Sequence, residues 1–361
     1  MENTQKHVVV AMSGGVDSST VAALLKEQGY QVTGMMLRLW SEDGKEELNR
    51  CCTPDSIFTA KRVAAILGIP FYVVDAKTDF YSAVVEYFLD GYAAGNTPNP
   101  CILCNKRIRW GKLFDHALEL DADFFATGHY ARVIHAHDGR SHLFTGVDKS
   151  KDQSYVLSML NQEQLAKTML PLGGLTKKEV RAHASRLQLP VAEKADSQDL
   201  CFLGDSDYMD FIKKYRPESL IAGPIITADG DIIGQHNGLA GFTIGQRKGI
   251  GIADQEPYYV VAKDVANNAL VVGKKADLQI SRFLAVDFNW IEELPKGEFM
   301  ADVMIRYRAS RTTAHVRVLE PGIVLIQLTD SRPDIAQGQL AVIYKGDEVL
   351  GGGIIKYEER I

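Results

Sequence analysis

The chain has 361 residues, 46% hydrophobic and 24% charged, with a formal net charge of −6. That length exceeds the usual span of one hydrophobic core, and the composition excludes a disordered chain, so two or three globular domains are expected. Five cysteines are too few for a disulfide scaffold, no apolar run reaches the ~18 residues of a membrane span, and the polar start lacks a leader pattern; together these predict a cytoplasmic protein with no membrane partner.

Apolar runs predict strands at 7–12, 31–37, 71–74 and 124–127, with helical patterns at 18–28, 54–67, 79–91 and 104–120. This alternation predicts an α/β fold, a parallel sheet flanked by helices, as an N-terminal nucleotide-binding catalytic domain over residues 1–208. A polar helix is expected at 176–187. Beyond it the texture turns to short β-rich runs broken by glycines, at 258–262, 269–272, 299–307, 314–319, 323–328 and 340–344. They suggest a small central domain at 209–278 and a C-terminal antiparallel β-barrel-like domain at 279–361.

The first strand runs through Ala11 and Met12 into Ser13, Gly14, Gly15, Val16, Asp17 and Ser18, where a helix begins. Such a turn aims several backbone N–H groups and a helix dipole at one point, a site for an anion such as pyrophosphate. No lysine follows the loop, which separates it from the P-loop of kinases and GTPases. The Ser-Gly-Gly-Val-Asp-Ser string resembles the ATP pyrophosphatase superfamily, in which ATP is cleaved between the α- and β-phosphates and AMP is placed on a substrate oxygen. That resemblance implies ATP with Mg²⁺, Asp17 holding the metal or positioning the pyrophosphate.

Asn96 to Asn105 reads as a proline-rigid turn leading into a basic helix start. A thiol there, beside Lys106 and Arg107, is expected to have its pKa lowered toward neutrality, which makes Cys104 a candidate nucleophile. Cys201 sits 97 residues later in a polar loop between Leu200 and Phe202. Cys51 and Cys52 are adjacent, poor geometry for a shared metal, and read as incidental surface thiols.

These strings, together with those at 126–132, 151–155, 242–247 and 351–353, resemble the tRNA-specific 2-thiouridylases along the length of the chain. The resemblance implies ATP-dependent 2-thiolation of the wobble uridine in tRNAs of the Lys, Glu and Gln type, releasing AMP and pyrophosphate. Cys104 would be the nucleophile and Cys201 the persulfide carrier, loaded by a sulfur-relay protein or cysteine desulfurase. Either the terminal sulfur or sulfide released by Cys104 would attack C2, leaving a Cys104–Cys201 disulfide to be reduced.

It also implies Leu37 against the adenine, Gly128 at the nucleotide, Asn99, Pro100 and Cys101 around the target base, and His129, Lys151, Asp152, Gln153, Arg306, Tyr307 and Gln339 toward the tRNA. One departure stands out: the motif carries an aspartate, proposed to assist proton transfer, where this chain has Cys101. A thiol with an unperturbed pKa near ~8.5 is the poorer base at neutral pH. The change also creates a Cys-x-x-Cys which, with Cys201, offers three ligands to an iron-sulfur cluster, an alternative not favoured.

Two rivals remain at this stage. A synthetase of the same superfamily acting on a small molecule explains the loop but leaves the cysteines and the β domain without purpose. A non-catalytic RNA-binding or sulfur-carrier protein predicts that Cys104→Ser is silent.

Overall fold

The computed structural model describes residues 5–45, 47, 52–195, 200–204, 206–293, 295 and 297–358. Contacts divide the chain into two units: residues 1–85, 101–205 and 347–350 in the first, and 86–100, 206–346 and 351–361 in the second.

The strands of the first unit are β1 (His7–Ala11), β2 (Gln31–Arg38), β3 (Phe71–Asp75), β4 (Phe124–Ala126), β5 (Ala131–His135), β6 (Ser141–Thr145) and β7 (Thr168–Met169). Five of them form a parallel sheet in the order β3-β2-β1-β4-β7. Val8, Val9 and Val10 are fully buried on both faces of β1, which is why the strand reads as an unbroken apolar run. Helix Val16–Glu27 follows β1 directly, and helix Pro54–Leu67 starts with Thr53 accepting from the Ser56 N–H and ends on Gly68 at φ 58°.

The predicted 79–91 helix is continuous from Lys77 to Ala93, with a π-helical stretch at Tyr81–Val85. The predicted 104–120 helix begins earlier, at Pro100, and its Cys104–Leu113 stretch is also π-helical. The β5–β6 hairpin carries no sequence signal because the positions β6 buries include Ser141 and Thr145; Gln162 satisfies the Ser141 backbone from both sides.

The second unit contains a four-stranded sheet and a barrel. The sheet takes β8 (Gly223–Thr227), β9 (Ile232–His236), β10 (Tyr259–Asp264) and β11 (Ala269–Gly273) in the order β10-β11-β8-β9, around Ile225, Val260, Leu270 and Val272. The barrel has six antiparallel strands: β12 (Ile280–Trp290), β13 (Glu298–Met304), β14 (Thr312–Glu320), β15 (Ile323–Arg332), β16 (Leu340–Lys345) and β17 (Glu348–Lys356). Their order is β12-β15-β14-β13-β16-β17, and β17 closes back on β12. β12 escapes prediction because its register shifts between Val286 and Asn289, with Asp287 at φ 50°, which breaks the alternation. The Gly351 to Gly353 run inside β17 is a close approach: a side chain on Gly351 would meet the Asn289 carbonyl, and one on Gly353 the Phe288 ring.

The expected boundary at residue 208 misses one feature. Residues 86–100 belong with the second unit: Thr97 donates its N–H to the Gln337 carbonyl, and Tyr92 packs on Tyr208 with ring centroids 5.4 Å apart.

Candidate active site

A cavity of about 170 Å³ opens at the C-terminal end of β1, lined by Ala11, Met12, Ser13, Asp17, Ser18, Leu37, Arg109, Gly128, His129 and Gln153 among others. Gly14 takes φ 68° and a Cβ there would run into the Ser56 carbonyl, so the turn needs glycine. The Ser13 N–H donates to Ser18 Oγ at 3.0 Å, which holds the turn onto the first turn of the helix. Gly128 lies against the Ser18 backbone N and Asp17 Cβ; a side chain there would crowd both. The loop residues, Leu37 and Gly128 therefore come together around one space, whereas Val16 is buried beneath the loop and Gly14 and Gly15 shape it from behind.

Asp17 is not a bare carboxylate. Lys177 Nζ donates to both of its oxygens at 2.8 Å, and the Tyr130 hydroxyl donates to Oδ1 at 2.8 Å. A second lysine, Lys194, donates to the Gly14 carbonyl at 3.0 Å. The loop that has no lysine in its own sequence thus acquires two from far along the chain. Lys177 is placed by a capping box, in which Thr176 and Glu179 satisfy each other's N–H groups, and by its own N–H bonding to Asp148 at 3.0 Å.

His129 is 5% exposed. Burial, reinforced by the Arg109 guanidinium, pushes its pKa well below the ordinary value, so the ring is neutral. Because a guanidinium only donates, His129 Nε2 accepts from Arg109 Nη1 (3.1 Å) and Nδ1 donates to Thr127 Oγ1 (2.8 Å). Arg109 also donates to Asn105 Oδ1 at 3.2 Å and lines the cavity. Lys112, further along the same helix, is paired with Asp79.

The residues expected at the tRNA divide. His129 and Gln153 line the nucleotide cavity, Gln153 accepting from the Tyr130 N–H at 3.0 Å. Asp152 accepts from the Gly146 N–H and from Ser154, which makes it a structural brace, while the neighbouring Lys151 side chain is half-buried. Arg306 and Tyr307 leave the strand in which they were expected; β13 ends at Met304, and both stand in the turn that follows, where Arg308 takes φ 63°. Gln339 is 9% exposed and its amide donates to the Thr97 carbonyl at 2.8 Å, a bond that ties residues 96–100 to the barrel and leaves that donor unavailable to a base edge.

Cys101 is exposed, and Cys104 and Cys201 are half-buried. The helix begins at Pro100, so Cys104 lies a full turn inside it, and the free N–H groups of the helix start belong to Cys101–Leu103 rather than to Cys104. Asn99 and Pro100 fall in the second unit, and Pro100 is buried. Residues 196–199 of the Cys201 motif lie outside the described residues, as does Cys51. Cys52 is buried rather than a surface thiol, accepting from the Leu39 N–H at 3.2 Å. The Cys104 and Cys201 segments both rest on one helix, Lys77–Val85: Phe202 packs edge-on against Phe80 at 6.0 Å, and the Cys104–Leu113 stretch packs along Tyr81–Val85. Among the described residues, Cys101, Cys104 and Cys201 are not gathered as a three-ligand group.

A parallel sheet whose first strand ends in a glycine turn and a cavity walled by Arg109 and the lysine-bridged carboxylate of Asp17 defines a nucleotide-binding α/β enzyme. Three family models cover the chain in succession: tRNA methyl transferase HUP domain over residues 6–205, tRNA methyl transferase PRC-barrel domain over 209–274, and aminomethyltransferase beta-barrel domain over 280–355. The tRNA-specific 2-thiouridylase MnmA of Chloroflexus aurantiacus is 46% identical over 356 residues, covering 98% of this chain and 99% of its own. The MnmA of Moorella thermoacetica is 47% identical over 353 residues, 96% and 99% of the two chains. That of Geotalea uraniireducens is 45% identical over 361 residues, 98% and 96%. The chain belongs to the tRNA-specific 2-thiouridylase family.

Proposed function

We propose that the chain is an ATP-dependent tRNA-uridine 2-sulfurtransferase acting on the wobble uridine of Lys-, Glu- and Gln-type anticodons. The observation that supports it most is the convergence of the Ser13–Ser18 loop, Asp17 and Arg109 on one cavity, with the two cysteine segments carried by a single helix of the same unit. The family models speak of methyl transfer, but a phosphate loop backed by Lys177 and Lys194 suits a polyphosphate and gives a methyl donor no special purchase.

In this reading the loop N–H groups and Lys177 hold the β- and γ-phosphates, and Arg109 faces the α-phosphate. The uridine 2-oxygen attacks the α-phosphorus and pyrophosphate leaves, converting a poor leaving oxygen into an AMP ester. Asp17 would be the residue that holds Mg²⁺, which would supply positive charge to the departing pyrophosphate. Neutral His129 fixes the guanidinium of Arg109 without adding charge.

Sulfur arrives on Cys201 as a persulfide from a sulfur-relay protein or cysteine desulfurase. Its outer sulfur, attacking directly or as sulfide released by Cys104, bonds to C2 while AMP departs with the original oxygen. The Cys104 thiolate bonds to Cys201 Sγ as the persulfide S–S bond breaks, and the resulting disulfide is reduced by an external thiol. Cys101 would stand beside the target base with Asn99 and Pro100, and Arg306 and Tyr307 would meet tRNA from the barrel turn.

The test is nuclease digestion and mass analysis of tRNA after incubation with ATP, Mg²⁺ and a persulfide donor. Wobble 2-thiouridine is expected with the wild type and is lost in Cys104→Ser and Cys201→Ser. AMP formed with an amine or amide substrate, and none with tRNA, would instead favour a small-molecule synthetase.

A further inference from the structure

A second, wider cavity of about 420 Å³ shares the Leu39 wall with the nucleotide cavity. Its floor is apolar, made by Leu39, Ile57 and Val73 and closed below by the Cys52 thiol bonded to the Leu39 backbone. Its rim is cationic: Arg38 from the end of β2, Lys61 from helix Pro54–Leu67, and Lys77 just after β3.

Two observations make this more than a surface dent. Among the described residues, no carboxylate lines the cavity and none of the three cations makes an ion pair. Of the acids close by, Asp75 stands opposite Arg38 on the neighbouring strand and accepts from the Lys77 N–H, and Asp79 pairs with Lys112. Beside them Phe58, one helical turn from Lys61, is 68% exposed, and Val73 is 38% exposed on the edge strand of the sheet. An open aromatic ring flanked by three cations over an apolar floor is the arrangement that takes a stacked base and its phosphates.

We propose that this cavity binds an unpaired nucleotide of the substrate tRNA, its base on Phe58 and its flanking phosphates on Arg38, Lys61 and Lys77. The shared Leu39 wall sets that nucleotide one side chain away from the ATP cavity, so the contact anchors the RNA next to the chemistry without entering it. The inference rests on the tRNA reading above and adds a contact to it.

The experiment is equilibrium binding of full-length tRNA across a series of salt concentrations, with ATP KM measured in parallel. Arg38→Ala/Lys61→Ala/Lys77→Ala is expected to weaken tRNA binding and to flatten the logarithmic salt slope by about 2–3. Phe58→Ala is expected to weaken binding about tenfold with little change in slope. ATP KM stays as in the wild type for both, which also reports an intact fold. A triple variant with wild-type tRNA affinity and salt slope overturns the inference. So does one that raises only the KM for a protein persulfide donor, which would make the cavity a protein-docking surface. If the wild type binds and thiolates no tRNA, it is the functional reading that fails, and the two failures are thereby told apart.

Discussion

The nucleotide cavity and the central β sheet treat buried polar groups in opposite ways. Around the phosphate loop, Asp17 is held by Lys177 and Tyr130, and His129 by Arg109 and Thr127. In the central sheet, Lys263 Nζ of β10 is buried with no hydrogen-bond partner among the described residues, and burial pushes its pKa down to about 8. A satisfied network holds catalytic groups in fixed positions and is costly to break, whereas a lone buried amine is a charge the fold carries at a loss. Substitution should therefore damage the first region and improve the second.

The largest effect is expected at Lys177. Lys177→Met removes the charge that pairs with Asp17 and that the proposed function sets against the phosphates, and should lower kcat/KM for ATP by about 100- to 1,000-fold, by analogy with the loss of one transition-state donor. Lys177→Arg, which keeps the charge, should recover part of it. Steady-state kinetics with tRNA saturating would show this; an unchanged ATP dependence would mean that Lys177 serves only the fold.

Lys263→Met should act in the other direction, raising unfolding stability by about 3 kcal/mol at pH 7. The sign follows from the lowered pKa: between pH 8 and 10.5 the unfolded chain binds the extra proton, so the wild type gains stability as pH rises through that window. The advantage of the variant should accordingly shrink toward pH 10.5. Urea titrations at pH 7 and pH 10 would sharpen the comparison, and equal midpoints for the two proteins at pH 7 would break it.

Smaller effects are expected from Gln339 and His129. Gln339→Ala leaves the Thr97 carbonyl without its donor and should destabilise the protein by about 1–3 kcal/mol, with tRNA discrimination unaltered if the amide is purely a tie. His129 has a lowered pKa, so its contribution is full above pH 6.5 and is lost as pH falls below that value. His129→Gln should flatten the acid side of the stability profile, read as denaturation midpoints at pH 7 and pH 5.

The same comparison explains what was legible in the sequence. The parallel sheet and phosphate loop were readable because β1 is continuously apolar and Ser13 to Asp17 are contiguous, so local chemistry signals the site. Lys177 and Lys194 were not, since they reach the loop from about 160 and 180 positions away and look like ordinary solvated lysines in a polar helix and loop. Arg109 was not legible either, because nothing in the sequence tells which face of its helix meets the cavity. In the barrel, alternation located four strands, but the bulge in β12 and the glycines of β17 hid the two that close it. The barrel's Gln339 could only be understood once Thr97 was seen against it.

The central claim is that the uridine oxygen is activated as an AMP ester in the cavity beside Asp17 and Arg109. It is tested most directly with tRNA carrying ¹⁸O at the 2-position of the wobble uridine, followed through one round of thiolation with mass analysis of the nucleotide products. The account predicts the label in AMP, with unlabelled pyrophosphate. Thiolated tRNA accompanied by unlabelled AMP, with the ¹⁸O in pyrophosphate or water, would contradict it.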